Sequence, residues 1–337
     1  MFHLDDYMIN DLSRFIFIFG VILSLLIFQK FQVVPGGLII PGYLAFSLFR
    51  PLNILFTIII AILTNILFEQ VRKRNFLSKS DRYRLNLAIG VLLSLVWFFI
   101  RFLIVRQTNI EEIVIESAGL LIPGIVSYKI VSQGVKKTVT AILGVTGIMW
   151  AVLLLMSRIL PLLREDIALV RDASELSWAF NPNLLLLASL LSMALSVFFT
   201  KKFQIRTGGV ICSAFIAALI LRPIDLLFFG VVSLLTYFIT TRFLVEMDFM
   251  FGQKKFAYTM LFAFIIGWSI DLFLQHTTGG LVAIGQGLTI IQLIIPAMIA
   301  NDMEIQGIKK TAIGVFGSTT MVLVFMLIVS GIAQIAS

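Results

Sequence analysis

Apolar positions in this chain come in long unbroken runs, without the period-two or period-3.6 alternation of a soluble fold. They lie at about 15–28, 36–49, 52–68, 85–105, 118–130 and 139–160, and again at about 184–200, 208–221, 224–241, 256–274, 281–300 and 312–332. Runs of this kind predict helices immersed in lipid, where only a helix satisfies its own backbone. Six segments per half follow. Several fall short of the roughly 20 residues needed to cross about 30 Å of hydrocarbon. Runs 36–49 and 208–221 have about 14 residues, on the order of 21 Å as a helix. They either re-enter the side they left or are shielded from lipid by neighbouring helices.

Glycine and proline interrupt the segments at matching places. Gly36-Gly37 recurs as Gly208-Gly209, an offset of 172, and Arg50-Pro51 with Leu63-Thr64 recurs at the same offset as Arg222-Pro223 with Leu235-Thr236. A second element runs from Ile122-Pro123-Gly124 to Gln133-Gly134-Val135-Lys136-Lys137-Thr138. It returns at an offset of 173 as Ile295-Pro296-Ala297 to Gln306-Gly307-Ile308-Lys309-Lys310-Thr311. The chain is therefore a tandem duplication, 1–160 and 184–337. The polar stretch 161–183 is read as an amphipathic surface helix joining the halves. A proline within a membrane helix frees the carbonyl four residues earlier, and a glycine lets another backbone approach. Breaks at Gly36, Gly37, Pro41, Gly42, Pro123, Gly124, Gly208, Gly209 and Pro296 fit tight helix contacts first and a substrate path second, and the sequence leaves both open.

Composition sharpens the class. An apolar content of 59% with 13% charged residues places the chain among polytopic membrane proteins. The formal charge of +8 does not point to nucleic acid, because the basic residues sit in short runs between apolar segments and there orient the chain. With the N-terminus outside, most of the 26 basic residues fall in inner loops. That bias predicts an even number of crossings per half, both termini outside, and parallel repeats related by an axis along the membrane normal. Re-entrant short segments would instead give five crossings and inverted repeats, against which the matched basic loops argue. The N-terminal stretch, with His3, Asp5, Asp6 and Asp11, lacks the basic leader of a secretory signal, so its apolar run is expected to be the first span. The single cysteine, Cys212, reads as a small buried apolar residue, and His3 and His276 have no metal-ligand spacing.

The motifs in their order resemble a known family. A Gly-rich segment with Ile39-Ile40-Pro41-Gly42-Tyr43-Leu44-Ala45, a basic loop at Gly252-Gln253-Lys254-Lys255-Phe256-Ala257, and Ile295-Pro296 leading through Ile299-Ala300-Asn301 to Gln306-Gly307 are similar to the PgsC/CapC membrane proteins of poly-gamma-glutamate capsule synthesis. Members are about half this length, so the resemblance covers the chain once per half. The halves depart from it in complementary ways: Ser127-Tyr128 stands where the second half has Ala300-Asn301, and Cys212-Ser213-Ala214 replaces Pro41-Gly42-Tyr43. The resemblance implies an all-α, polytopic protein of the bacterial inner membrane with two parallel pseudo-symmetric repeats. It implies a non-catalytic subunit of a synthase-exporter for an anionic poly-amino acid, anchoring a PgsB/CapB-like cytoplasmic ATP-dependent ligase and forming part of the polymer path. Accessory capsule subunits and membrane lipid are the other expected partners, and no cofactor, metal or nucleic acid is expected. The sequence agrees in carrying no phosphate-binding loop and no zinc-protease or nucleophile-elbow motif. An autonomous secondary transporter or flippase is the alternative, since broken helices in repeated halves suit it as well.

Two groups of charges carry the candidate sites. The inner loops hold Arg72, Lys73, Arg74, Arg82, Arg84, Lys136, Lys137, Lys254, Lys255, Lys309 and Lys310, which could guide a polyanion or dock the ligase, or serve only as topology signals and lipid contacts. Within the spans, aligning Trp97 with Trp268 brings Arg101 close to the equivalent of Asp271. That register suggests an Arg101–Asp271 pair across the pseudo-two-fold, against the alternative that both snorkel separately to the outer boundary. Glu116 is read as an interfacial residue at a helix N-terminus.

Overall fold

The computed structural model describes residues 4–38, 40–46, 51–74, 79–108, 122–159, 184–244, 252–278 and 291–336. The expected linker helix at 161–183 and Glu116 lie outside them. The described residues are helical throughout, with short turns and extended connections and no strand. The first half gives α1 (Leu4–Phe31), α2 (Ile40–Phe46), α3 (Pro51–Arg74), α4 (Lys79–Thr108), α5 (Ile122–Gln133) and α6 (Val135–Ile159). The second gives α7 (Leu185–Phe203), α8 (Cys212–Ala218), α9 (Pro223–Ile239), α10 (Gln253–Thr278), α11 (Ile291–Gln306) and α12 (Ile308–Ala336), α9 continuing into a turn of π-helix at Thr240–Leu244. Each half repeats the same sequence of long and short helices. The chain is a multi-pass membrane protein: α1, α3, α4, α6, α9, α10 and α12 are each long and apolar enough to cross a bilayer.

The short helices are where the apolar runs and the helices part company. α2 and α8 have 7 residues each, about 10 Å of helix, although the apolar runs around them are twice that length. The difference is the glycine pair, whose backbone is extended or left-handed and precedes the helix without entering it. Pro41 and Pro123 are the second residues of α2 and α5, where a missing N–H costs nothing, so they start helices and do not bend them. Pro296 lies inside α11.

Contacts divide the chain into two compact units, Phe15–Ile167 and Met1–Arg14 with Ala168–Ser337. In the first, α5 packs against α3, α4 and α6, and α2 against α6. In the other, α11 packs against α9, α10 and α12, and α8 against α7 and α12. Both cores are apolar: Ile40, Leu44, Ile54, Val126, Ile130 and Ile142 in one, Ile216, Phe228, Val232, Ile295 and Ile299 in the other. Three buried hydroxyls are satisfied within their own helices, Thr57, Thr64 and Ser233 each donating to the carbonyl four residues earlier.

Close backbone approach sets the spacing of α4 and α5. A Cβ on Gly90 would lie 2.5 Å from the Gly124 Cα, and one on Gly124 would lie 2.9 Å from the Leu87 Cα. Backbone cannot step aside as a side chain can. Gly90→Ala is expected to cost about 1–3 kcal/mol by forcing the helices apart, read as a lower melting temperature in detergent.

Candidate functional site

The two repeated motifs meet within each half, and a glutamine joins them. In the first half α1 ends at Phe31, Gln32 takes a left-handed backbone (φ 55°), and its N–H donates to the Phe28 carbonyl at 2.9 Å. The chain then runs through Val34 to Gly36, whose φ of 70° favours glycine and whose Cβ, if present, would come 2.8 Å from Ile142. Val34 is held on both backbone groups: its N–H donates to Gln133 Oε1 at 3.0 Å, and Gln133 Nε2 donates to its carbonyl at 2.6 Å. The same Nε2 reaches Thr138 Oγ1 at 3.1 Å, and that hydroxyl donates to the Gly134 carbonyl.

Gln133 can do this because it ends α5 at a tight hairpin. Gly134 (φ 89°) caps the helix, its N–H bonded to the Ile130 carbonyl at 2.8 Å, and α6 turns back along α5 so that Val126 and Ile142 both flank Gly36. The second half repeats this atom for atom. Arg206 N–H donates to Gln306 Oε1 at 2.7 Å, and Gln306 Nε2 reaches the Arg206 carbonyl at 2.8 Å and Thr311 Oγ1 at 3.0 Å. Gly307 (φ 88°) turns the hairpin, and a Cβ on Gly208 (φ 76°) would meet Val315 and Ile299. In both halves the clamp supplies partners for backbone groups that no helix satisfies.

The halves differ beside the glycine pair. Position 302 carries an aspartate whose Oδ2 accepts the Gly208 N–H at 3.0 Å and whose Oδ1 lies 3.5 Å from the Arg206 guanidinium. The equivalent position in the first half carries Lys129, 9% exposed, and Val34 stands where the second half has Arg206. Among the described residues the Lys129 ammonium has no carboxylate; it lies 5.8 Å from the Tyr128 ring centroid. Gly36 N–H there turns to the Val34 carbonyl at 2.8 Å. On the far side of α5, Ser127 donates to Asn86 at 2.7 Å and the Tyr83 and Tyr128 rings meet edge to face at 5.1 Å.

The charges expected to form a basic rim are placed as follows. Lys136 and Lys137 open α6, Lys309 and Lys310 open α12, and all four are exposed at the tips of the clamped hairpins. Arg72, Lys73 and Arg82 are also exposed, Arg84 and Lys254 half-buried, and the Arg74 side chain is outside the described residues. Lys255 on α10 forms an ion pair with Glu304 on α11. Asp271, for which Arg101 was the expected partner, has Arg14, from α1, on its carboxylate at 2.5 Å, with Gln275 Nε2 at 3.1 Å. Both pair members are buried, 3% and 2% exposed, and the Arg101 side chain lies outside the described residues. Among the described residues no three His, Cys, Asp or Glu side chains group as a metal site. Sequence reasoning missed Arg14, Gly90, the Lys129/Asp302 exchange and the reach of Gln133 and Gln306. Of these, the exchange left a signal as a charge reversal at one position of the repeat, and the two glutamines left one in recurring with the motif.

Comparison with known proteins follows the duplication. The family model described as capsule biosynthesis CapC matches the chain twice, at residues 19–139 and 191–312. The PGA biosynthesis protein CapC of Bacillus subtilis (strain 168) is 28% identical over 137 residues, covering 40% of this chain and 89% of that protein. The capsule biosynthesis protein CapC of Bacillus anthracis is 26% identical over a stretch of the same coverage. No solved structure matches.

Proposed function

The chain belongs to the capsule biosynthesis CapC family, and from that membership we propose that it is a non-catalytic membrane subunit of a synthase-exporter for poly-gamma-glutamate. In this reading it sits in the bacterial cytoplasmic membrane with both termini outside. It anchors a cytoplasmic ATP-dependent amide ligase, in company with accessory capsule subunits, and lines part of the polymer's path. The names of the two relatives support the capsule role. The division of labour is supported by the absence of a nucleotide-binding motif from the sequence, because ligation needs bound nucleotide, metal and a positioned acceptor.

One observation carries the reading furthest. Each half ends its clamped hairpin in an exposed lysine pair, and the clamp fixes those pairs next to non-helical backbone. A polymer with about one negative charge per residue, or an acidic face of the ligase, would meet a positioned lysine pair on each half. Replacing Lys136, Lys137, Lys309 and Lys310 by Gln is expected to remove about 2 kcal/mol of attraction, or roughly 30-fold in polyanion occupancy at low salt. Polymer output should fall accordingly while membrane insertion and expression stay normal. Unchanged output would remove the lysines from the function. Tagged protein in mild detergent should retain the ligase, and solute movement by the protein alone would favour an autonomous transporter.

A further inference from the structure

We propose that Lys129 is a binding residue for a single carboxylate, taken from a glutamyl unit of the polymer, at a site that only the first half keeps open. The inference rests on the polymer reading above. The second half supplies the pattern. There a carboxylate is built into the chain: Asp302 receives the Gly208 N–H and faces Arg206. A carboxylate is thus the group that this arrangement of hairpin and glycine pair accommodates. In the first half the position is reversed in charge, and no carboxylate of the described residues answers it.

Helical register puts Lys129 on the side of α5 that faces the loop. Ile125 and Val126, one turn before it, flank the Gly37 and Gly36 positions, and Gln133, one turn after it, holds Val34. Lys129 therefore lies between two contacts to the same stretch of loop. Its side chain is nine-tenths buried and does not escape to the hairpin tip, where Lys136 and Lys137 are exposed. A lysine side chain this buried is costly without a counter-charge, and a ligand carboxylate is the group that offsets it. The tip lysines would gather the chain by long-range attraction, while Lys129, one turn further in, would hold one unit of it.

The test uses the full chain in discs of zwitterionic lipid, with γ-linked tetraglutamate as the probe. Wild type should bind it with an affinity that falls as salt rises. Lys129→Met should weaken binding roughly tenfold or more, and Lys129→Arg should keep it within about threefold. The double variant Val34→Arg/Lys129→Asp installs the second half's own ion pair, so it should fold normally and bind as weakly as Lys129→Met. That variant keeps the test open if Lys129→Met misfolds. No binding by wild type, or wild-type affinity in the folded double variant, overturns the site. So does displacement of the probe by phosphatidylglycerol with no displacement in return, which would make the anion a lipid headgroup. Ligase capture is measured alongside. Normal capture with no dependence on Lys129 sinks the site alone, and lost capture with Lys129-dependent binding sinks the ligase-subunit reading alone.

Discussion

Asp271→Asn is expected to destabilise the protein by about 3–5 kcal/mol, enough that little of it survives extraction as a monodisperse species. The carboxylate is 2% exposed, and its loss takes the Asp271 counter-charge away from the Arg14 guanidinium, itself 3% exposed. An amide of the same shape restores the hydrogen bond to Gln275 but not the charge. Removing both partners is different, because an apolar pair of similar volume gives up the ion pair and its desolvation cost together. Arg14→Met/Asp271→Leu should therefore recover most of the loss, measured as the monodisperse fraction and the melting temperature. Polymer output from the recovered double variant then separates two roles. Full output makes the pair a packing device, and persistent failure in a folded protein makes the charges part of the path. A single variant as stable as wild type would mean that Arg14 and Asp271 do not meet.

The architecture was largely legible in the sequence, and for a physical reason. Lipid tolerates so little besides self-satisfied helix that apolar run length translates almost directly into helices. The runs gave six segments per half, and the matched glycines and prolines gave the duplication. What the runs could not show was where helix stops inside an apolar stretch. Residues 36–38 are as apolar as the seven residues of α2 after them, yet their conformation is set by a side chain 99 positions away, Gln133 on Val34. The Arg14–Asp271 contact was hidden for a related reason. Aligning Trp97 with Trp268 identifies equivalent positions in two repeats, and equivalence is not adjacency. Asp271 is met by α1, whose first residues, through Arg14, group with the second half. No local pattern marks Arg14, which sits at the polar edge of the first apolar run.

The glutamine clamps should differ in strength although their geometry is the same. Gln133→Leu is expected to cost about 2–4 kcal/mol: it leaves the Val34 N–H without a partner in a half-buried site and strips the Val34 carbonyl of its shortest bond. The carbonyl keeps the Gly36 N–H at 2.8 Å, which limits the loss. Gln306→Leu removes the same two bonds from Arg206, but there they are exposed, so water replaces them and the cost should be about 1 kcal/mol. Melting temperatures of the two variants in one detergent would check the order. Equal losses would mean that depth, and with it the shielding of the first glycine loop, has been misjudged. Function should track the loop more than the global stability. A Gln133 variant that still folds frees the backbone from Val34 to Gly36 and lets the tip lysines drift from it, so polymer output should fall further than its melting temperature suggests. Gln133→Glu gives the finer test: it keeps an acceptor for the Val34 N–H and loses the donor to the carbonyl, and it should fall between wild type and Gln133→Leu in both measurements.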